Sequence, residues 1–251
     1  MISRSLTRLL NWSKHERTIA VSSVLNKVGP FLSNPILRNI VGQSKSRVKL
    51  REIMDDGRIL IVNLSKGRMG EDASNLLGSL MLTGLQIAAM SRADIEESAR
   101  RPFLACVDEF QNFATESFAT ILSEARKYGL ALTLAHQYID QLDDHTRGAV
   151  FGNVENLLTF RVGHRDAEAL AEEFANRMEP VELTRLPRFT ACIRMAINGM
   201  PQRVFTMTTL PPAAMNRRDR SAIVRRTSNH RYAKPQAEVI REIESAYSTD
   251  A

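Results

Sequence analysis

Short, mainly apolar runs alternate along the chain with longer stretches in which apolar residues return every three or four positions. The runs are Arg58–Leu64 (RILIVNL), Phe103–Val107 (FLACV), Leu130–Leu134 (LALTL) and Leu157–Val162 (LLTFRV). Their length suits strands, and their predominant apolarity suits strands covered on both faces. Between them the spacing predicts helices from Glu71 to about Arg92, from about Thr115 to Lys127, from Asp143 to Phe151 and from Asp166 to Arg177. Glu71 and Asp72 stand where a helix dipole favours acids. Gly129 stands where a left-handed C-cap is expected. Asp55-Asp56-Gly57 reads as a turn and Ser65–Gly70 as a glycine-containing loop. Such alternation describes an α/β domain with a mostly parallel sheet and helices on both faces.

Both ends depart from that pattern. Apolar positions at helical spacing (Leu6, Leu9, Leu10, then Ile19, Val21, Val24, Leu25, Val28) predict one or two helices in residues 1–28, before Gly29-Pro30 and Asn34-Pro35. Thr190–Ile197 and Gln202–Met207 flank Asn198-Gly199 and read as a C-terminal β-hairpin, because both central residues accept the positive φ of a tight turn. Beyond Pro211-Pro212, Arg217–Lys234 is basic and poor in apolar residues, and a last helix is expected over Gln236–Tyr247. Three parts result: a basic helical segment over 1–50, the α/β domain over 51–210, and a basic tail over 211–251.

Composition narrows the class. Of 251 residues, 43% are hydrophobic and 25% charged, which excludes a wholly disordered chain, a collagen-like repeat and a disulfide mini-protein. The longest apolar stretch, Leu76–Met90, is shorter than a bilayer span and is broken by Gly78, Ser79, Gly84 and Gln86. The first residues show no signal-peptide pattern. Cys106 and Cys192 lie inside separate apolar runs and read as buried thiols of a reducing compartment, neither bridged nor metal-bound.

The net charge of +6 is unevenly spread: +8 over residues 1–50, −5 over 51–210 and +3 over 211–251. Basic flanks suit a polyanion such as DNA; they equally suit solubilising tails or packing surfaces of a larger protein.

In an open α/β sheet, ligands sit beyond the carboxyl ends of the strands, so the polar residues there carry the chemistry. The second apolar run closes in Asp108-Glu109, the Walker B pattern: the Asp serves Mg²⁺ and the Glu polarises an attacking water. The third ends in Ala135-His136-Gln137. On adjoining strands Gln137 reaches the same phosphate or water. Arg161, on the fourth run, and Arg165 behind it are able to neutralise phosphoryl charge at a subunit boundary. Each residue also has an ordinary structural reading. Asp-Glu pairs cap helices, Arg161 is an outward strand residue, and His136 packs or hydrogen-bonds, with no second ligand at metal spacing.

The stretch FLACVDEFQNFATESFATILSEARKYGLALTLAHQYIDQL (Phe103–Leu142) closely resembles the coupling ATPases of type IV secretion and conjugation, the TraG/TraD-like proteins. Phe31–Asp72 and Gly152–Phe174 fit the same pattern, so the resemblance covers roughly residues 15 to 210. It implies part of a RecA-like P-loop NTPase core, related to FtsK and HerA. Such motors act as hexamers that move single-stranded DNA and attached protein across the inner membrane. Asp108 and Glu109 match the family's Walker B pair, Gln137 its strand-end glutamine, Arg161 a finger candidate and Arg126 a basic residue of its Glu-Ala-Arg-Lys helix. Phe103 to about Leu210 also resembles the TraM recognition region, which implies a relaxosome partner of TraM type. ATP and Mg²⁺ are the implied cofactors, with Asp108 as the metal ligand.

The departure is the phosphate cradle. The sequence holds no G-x-x-x-x-G-K-[ST]; Ser65–Gly70 lacks that ending and leads into Glu71-Asp72, which repel phosphate. The expectation is a partial core without a Walker A strand and loop, unable to bind ATP tightly alone and completed by a P-loop half or a homo-hexamer. A truncated gene product, half of a split protein and a domain fragment all stay open. The alternative is a non-catalytic module for DNA or a relaxosome protein. The expected location is the cytoplasm, at the inner membrane through partners.

Overall fold

A computed structural model describes residues 33–114, 118–211 and 219–248, with positions 13, 18, 22 and 29. Apart from positions 13, 18 and 22, the helices expected within 1–28 lie outside the described residues. The chain divides into two compact units. One comprises residues 1–49, 61–80 and 220–251; the other comprises 50–60 and 81–219.

In the first unit, α1 (Pro35–Val41) starts at Asn34, whose side chain accepts the Ile36 and Leu37 amides at 2.9 and 3.3 Å. Pro35, placed in the first turn, loses no hydrogen bond there. Helix α2 (Leu50–Asp55) belongs to the other unit. The expected loop Ser65–Gly70 is instead largely a short helix, α3 (Lys66–Met69), ended by Gly70 at φ 84°. Helix α4 (Glu71–Met90) follows. With the 3-10 turn Ser91–Asp94 it forms a helix of 24 residues, long and apolar enough by length and composition to cross a membrane, although its uncharged run Leu76–Met90 alone is shorter than a span. Ala73, Leu82, Ala88 and Ala89 are buried along it, whereas Leu80, Ile87 and Met90 are exposed.

The second unit centres on two parallel strands, β1 (Phe103–Val107) and β2 (Leu130–Leu134), paired from Phe103↔Leu130 to Val107↔Leu134. Between them run α5 (Phe118–Glu124) and the 3-10 turn Ala125–Tyr128, closed by Gly129 at φ 72°. The Gly129 amide donates to the carbonyls of Ala125 and Arg126, which is the cap its position predicts. Ala105 and Leu130 pack with Met54, Leu82, Ala89, Phe110, Phe118 and Ile121 into one core. The opposite sheet face is open: Leu104 is 62% exposed and Cys106, Ala131 and Thr133 are exposed. Strand periodicity puts these four on one side. Cys106 is thus not the buried thiol expected, whereas Cys192 is fully buried.

Helix α6 (Asp144–Asn153) is capped by Asp143, which accepts the Thr146 amide at 2.9 Å. Strand β3 (Leu157–Thr159) then joins a second sheet. Helices α7 (His164–Glu173) and α8 (Pro180–Thr184) precede β4 (Thr190–Arg194), β5 (Ala196–Ile197), β6 (Met200–Pro201) and β7 (Phe205–Thr208). Strand β4 pairs antiparallel with both β3 and β7. The expected hairpin is present: β5 and β6 pair across Asn198 and Gly199, at φ 53° and 74°. Ala167, Leu170, Phe174, Leu183 and Cys192 form the core beneath. The tail holds α9 (Ser221–Tyr232) and α10 (Gln236–Ser248), both in the first unit. There Gly42 lies against α10: a Cβ on it would sit 2.7 Å from Ile243 Cδ1.

Two strand expectations need correction. Arg58–Leu64 forms no strand, and Ile59 and Ile61 are 92% and 79% exposed. An apolar run becomes a strand only where a ladder neighbour takes its amides and carbonyls, and no described strand pairs with this one. The run Leu157–Val162 stops at Thr159 and lies antiparallel to β4, outside the parallel pair. The α/β class and the parallel pair hold; the sheet that should join all four runs does not form.

Candidate functional site

The register of β1 and β2 sets the site. Because Val107 lies opposite Leu134, the next residues leave the two strands side by side. The Ala135 amide donates to the Val107 carbonyl at 2.9 Å, and the Phe110 amide donates to the Ala135 carbonyl at 3.1 Å. The chain after β1 is thereby tied to the chain after β2, with Asp108-Glu109 on one and His136-Gln137 on the other.

Glu109 sits in the left-handed region, at φ 48° and ψ 46°. A non-glycine side chain costs roughly 1–2 kcal/mol there. Its neighbours hold it. The Glu109 amide donates to Asp108 Oδ1 at 3.0 Å, and the 3-10 turn Phe110–Asn112 follows at once. Phe110 is fully buried, stacked on Phe118 with centroids 5.6 Å apart and edge-to-face with His136 at 5.2 Å. This aromatic trio pins the backbone on which Glu109 turns.

The result is a direct bond between strand ends. Gln137 Nε2 donates to Glu109 Oε1 at 2.8 Å, and Asn112 Nδ2 donates to Glu109 Oε2 at 3.3 Å. Both carboxylate oxygens of Glu109 are held by amide side chains, which fixes their direction. Asp108 is exposed beside them, and only its Oδ1 has a hydrogen-bond donor among the described residues. One exposed carboxylate suits Mg²⁺, which keeps most of its waters and draws other ligands from substrate phosphates. Among the described residues no cluster of three or more His, Cys, Asp or Glu exists that would form a protein-only cage.

His136 packs on Phe110, in line with the structural reading of it; its Nδ1 is buried with no protein partner. The arginines do not join the group. Arg126 pairs with Glu155 at 2.9 Å. Arg165 lies 3.7 Å from Asp140, on a depression of about 450 Å³ also lined by Tyr138, His164 and Asp166. Arg161 is exposed in the bend after β3, not on a strand, and makes no ion pair among the described residues. Asn112 is the site residue that the sequence did not single out. Its signal, an amide three positions after Glu109, is visible only once the turn is known.

Residues 102–186 match the family model described as the TraM recognition site of TraD and TraG. No curated protein matches the chain. Among solved structures, the plasmid coupling protein TrwB bound to the ATP analogue ADPNP aligns with TM-score 0.64 and 17% identity, over 83% of this chain and 53% of that one. The unbound conjugative coupling protein TrwBdeltaN70 aligns with TM-score 0.56 and 18% identity, over 68% and 45%. TrwB with ADP and Mg²⁺ aligns with TM-score 0.51 and 16% identity, over 68% and 45%. The chain therefore spans about half the length of these relatives and shares their RecA-like α/β fold.

Proposed function

We propose that this chain, TraG/TraD-like over residues 102–186 and TrwB-like in fold, is the C-terminal portion of a conjugative coupling motor. It supplies the Walker B and sensor residues of an ATP-driven DNA translocase and is inactive without a phosphate cradle. The observation that carries this reading is the 2.8 Å bond from Gln137 to Glu109 across the parallel strands. That bond holds a carboxylate and an amide side by side at the carboxyl ends of two parallel strands, an arrangement suited to orienting an attacking water. Asp108 would hold Mg²⁺, which neutralises charge on transferring phosphoryl oxygens when bound. The open face at Leu104 and the two-strand width of the sheet also support it. Parallel sheets are ordinarily wider and covered on both faces, and the two parallel strands among the described residues, with one open face, fit a piece of a larger sheet. The motor would work in the cytoplasm at the inner membrane, as a hexamer or with a P-loop half, on DNA.

ATP turnover tests this. The isolated chain should hydrolyse ATP negligibly. Joined to a P-loop-bearing portion it should turn over, and Glu109→Gln should abolish that rate. If the pure chain hydrolyses ATP and Glu109→Gln leaves the rate untouched, the assignment is wrong.

The match over residues 102–186 favours a second reading: a non-catalytic module for a relaxosome protein of TraM type. Binding of such a protein that persists in Asp108→Ala and Glu109→Gln variants, with no ATP turnover in any completed motor, would favour it.

A further inference from the structure

Helix α9 (Ser221–Tyr232) has no buried residue, which is unusual for a twelve-residue helix. A helix of that length is marginal in water unless packing or binding supports it. Propensity does not supply the support, since Ile223, Val224, Thr227, Ser228, Asn229 and His230 are all mediocre formers. Its charge is one-sided in sign. The helix carries Arg225, Arg226 and Arg231 and no acid, Arg220 precedes it, and Arg217–Lys234 holds seven basic residues against Asp219 alone. Among the described residues none of these four arginines pairs with a carboxylate; Arg225 donates to Ser221 Oγ at 3.0 Å.

We propose that α9 is a binding surface for the phosphate backbone of a nucleic acid. Arginines spread around the helix, interleaved with Ser221, Thr227, Ser228 and Asn229, supply the donors that phosphate oxygens take without reading bases. The other polyanion surfaces fit less well. Ile223 and Val224 are adjacent and about half exposed, so they form no stripe deep enough to enter a bilayer. The helix also lacks the Leu, Trp or Phe anchors by which a helix enters a protein groove. The choice of DNA among nucleic acids rests on the coupling-motor reading; the surface itself does not.

The test is equilibrium binding of the full chain to a fluorescent 30-mer, single-stranded and duplex, against salt. Contacts from three arginines give slopes of about −2 for a single strand and about −3 for a duplex. Affinity then falls roughly 15- to 60-fold between 50 and 200 mM salt. Replacing Arg225, Arg226 and Arg231 together by Gln preserves helix propensity. That variant should lose this slope and bind weakly at low salt. The equally charged set Arg177→Gln, Arg185→Gln and Arg188→Gln, all exposed, should bind as the parent does. Circular dichroism should show helix gained on adding oligonucleotide, in the parent only. Absence of binding to either 30-mer, equal loss in both triple variants, or binding to anionic phosphatidylserine vesicles but not to DNA would overturn the proposal. None of these readouts involves ATP, so a failure here leaves the turnover test standing, and the converse also holds.

Discussion

Arg92 offers the sharpest stability prediction. It is a fully buried cation at the end of the long apolar helix, and its guanidinium ties three segments. Nε lies 2.9 Å from Asp55 Oδ1 of α2. Nη1 donates to the Tyr128 carbonyl at 3.0 Å and Nη2 to the Arg101 carbonyl at 2.7 Å. Arg101 precedes β1 and Tyr128 precedes β2, so one side chain fixes where both strands start. Arg92→Ala leaves two carbonyls without their donor, leaves Asp55 with Arg51 alone at 3.4 Å, and opens a void of side-chain size. Breaking a buried pair from one side costs about 3–5 kcal/mol. Asp55 is 32% exposed and regains some water, which points to the lower end, about 3 kcal/mol. That is a large share of the roughly 5–15 kcal/mol that holds a protein together. At about 2–4 °C per kcal/mol the thermal midpoint should fall by roughly 6–12 °C. Arg92→Lys keeps the charge but not the fork, and should recover only part of the loss. Urea unfolding followed by far-UV circular dichroism reads both variants. A loss below about 1 kcal/mol for Arg92→Ala would refute the clamp.

Three further outcomes follow from particular contacts. Cys106 is exposed whereas burial pushes the Cys192 thiol up, so a thiol reagent should label one cysteine quickly and the second only in denaturant; two fast equivalents would contradict this. Hydrogen bonds from Thr146, Lys66 and Lys234 hold Asp143, Glu71 and Glu242 below their ordinary values of 3.8, 4.5 and 4.5. Their contribution is complete above those values and is lost as pH falls through the lowered ones, so the thermal midpoint should hold from pH 7 to about 5 and drop below about 4. Gly42→Ala forces a methyl into Ile243 of α10 and the Arg38 carbonyl, and should cost about 1–3 kcal/mol in a urea titration, with no cost if that contact is absent.

What could be read from the sequence was local. Gly129, Asn198-Gly199 and the acids of α4 act within a few residues of themselves, so their turns and caps appeared where expected. The Asp108-Glu109 and Gln137 pairing was legible because one parallel register decides it, and two mainly apolar runs on either side of a helix nearly dictate that register. The errors are non-local. Arg58–Leu64 has the composition of a strand, but a ladder needs a neighbour, and composition does not name one. Leu157–Val162 took its neighbour from β4, so Arg161 fell into a bend. Cys106 alternates with Ala105 and Val107, and which side is covered depends on what packs there. Arg92 and Asn112 escaped notice because their partners are distant carbonyls and a carboxylate on a left-handed turn.

In the proposed motor Glu109 and Gln137 act as one unit, and single-turnover release of the γ-phosphate by the completed motor tests that most directly. Glu109→Gln and Gln137→Ala should each slow release by roughly 10²-fold or more. The double variant should be scarcely slower than either alone, because parts of one device are not additive. Release unchanged by Gln137→Ala, or losses that simply multiply, would contradict it.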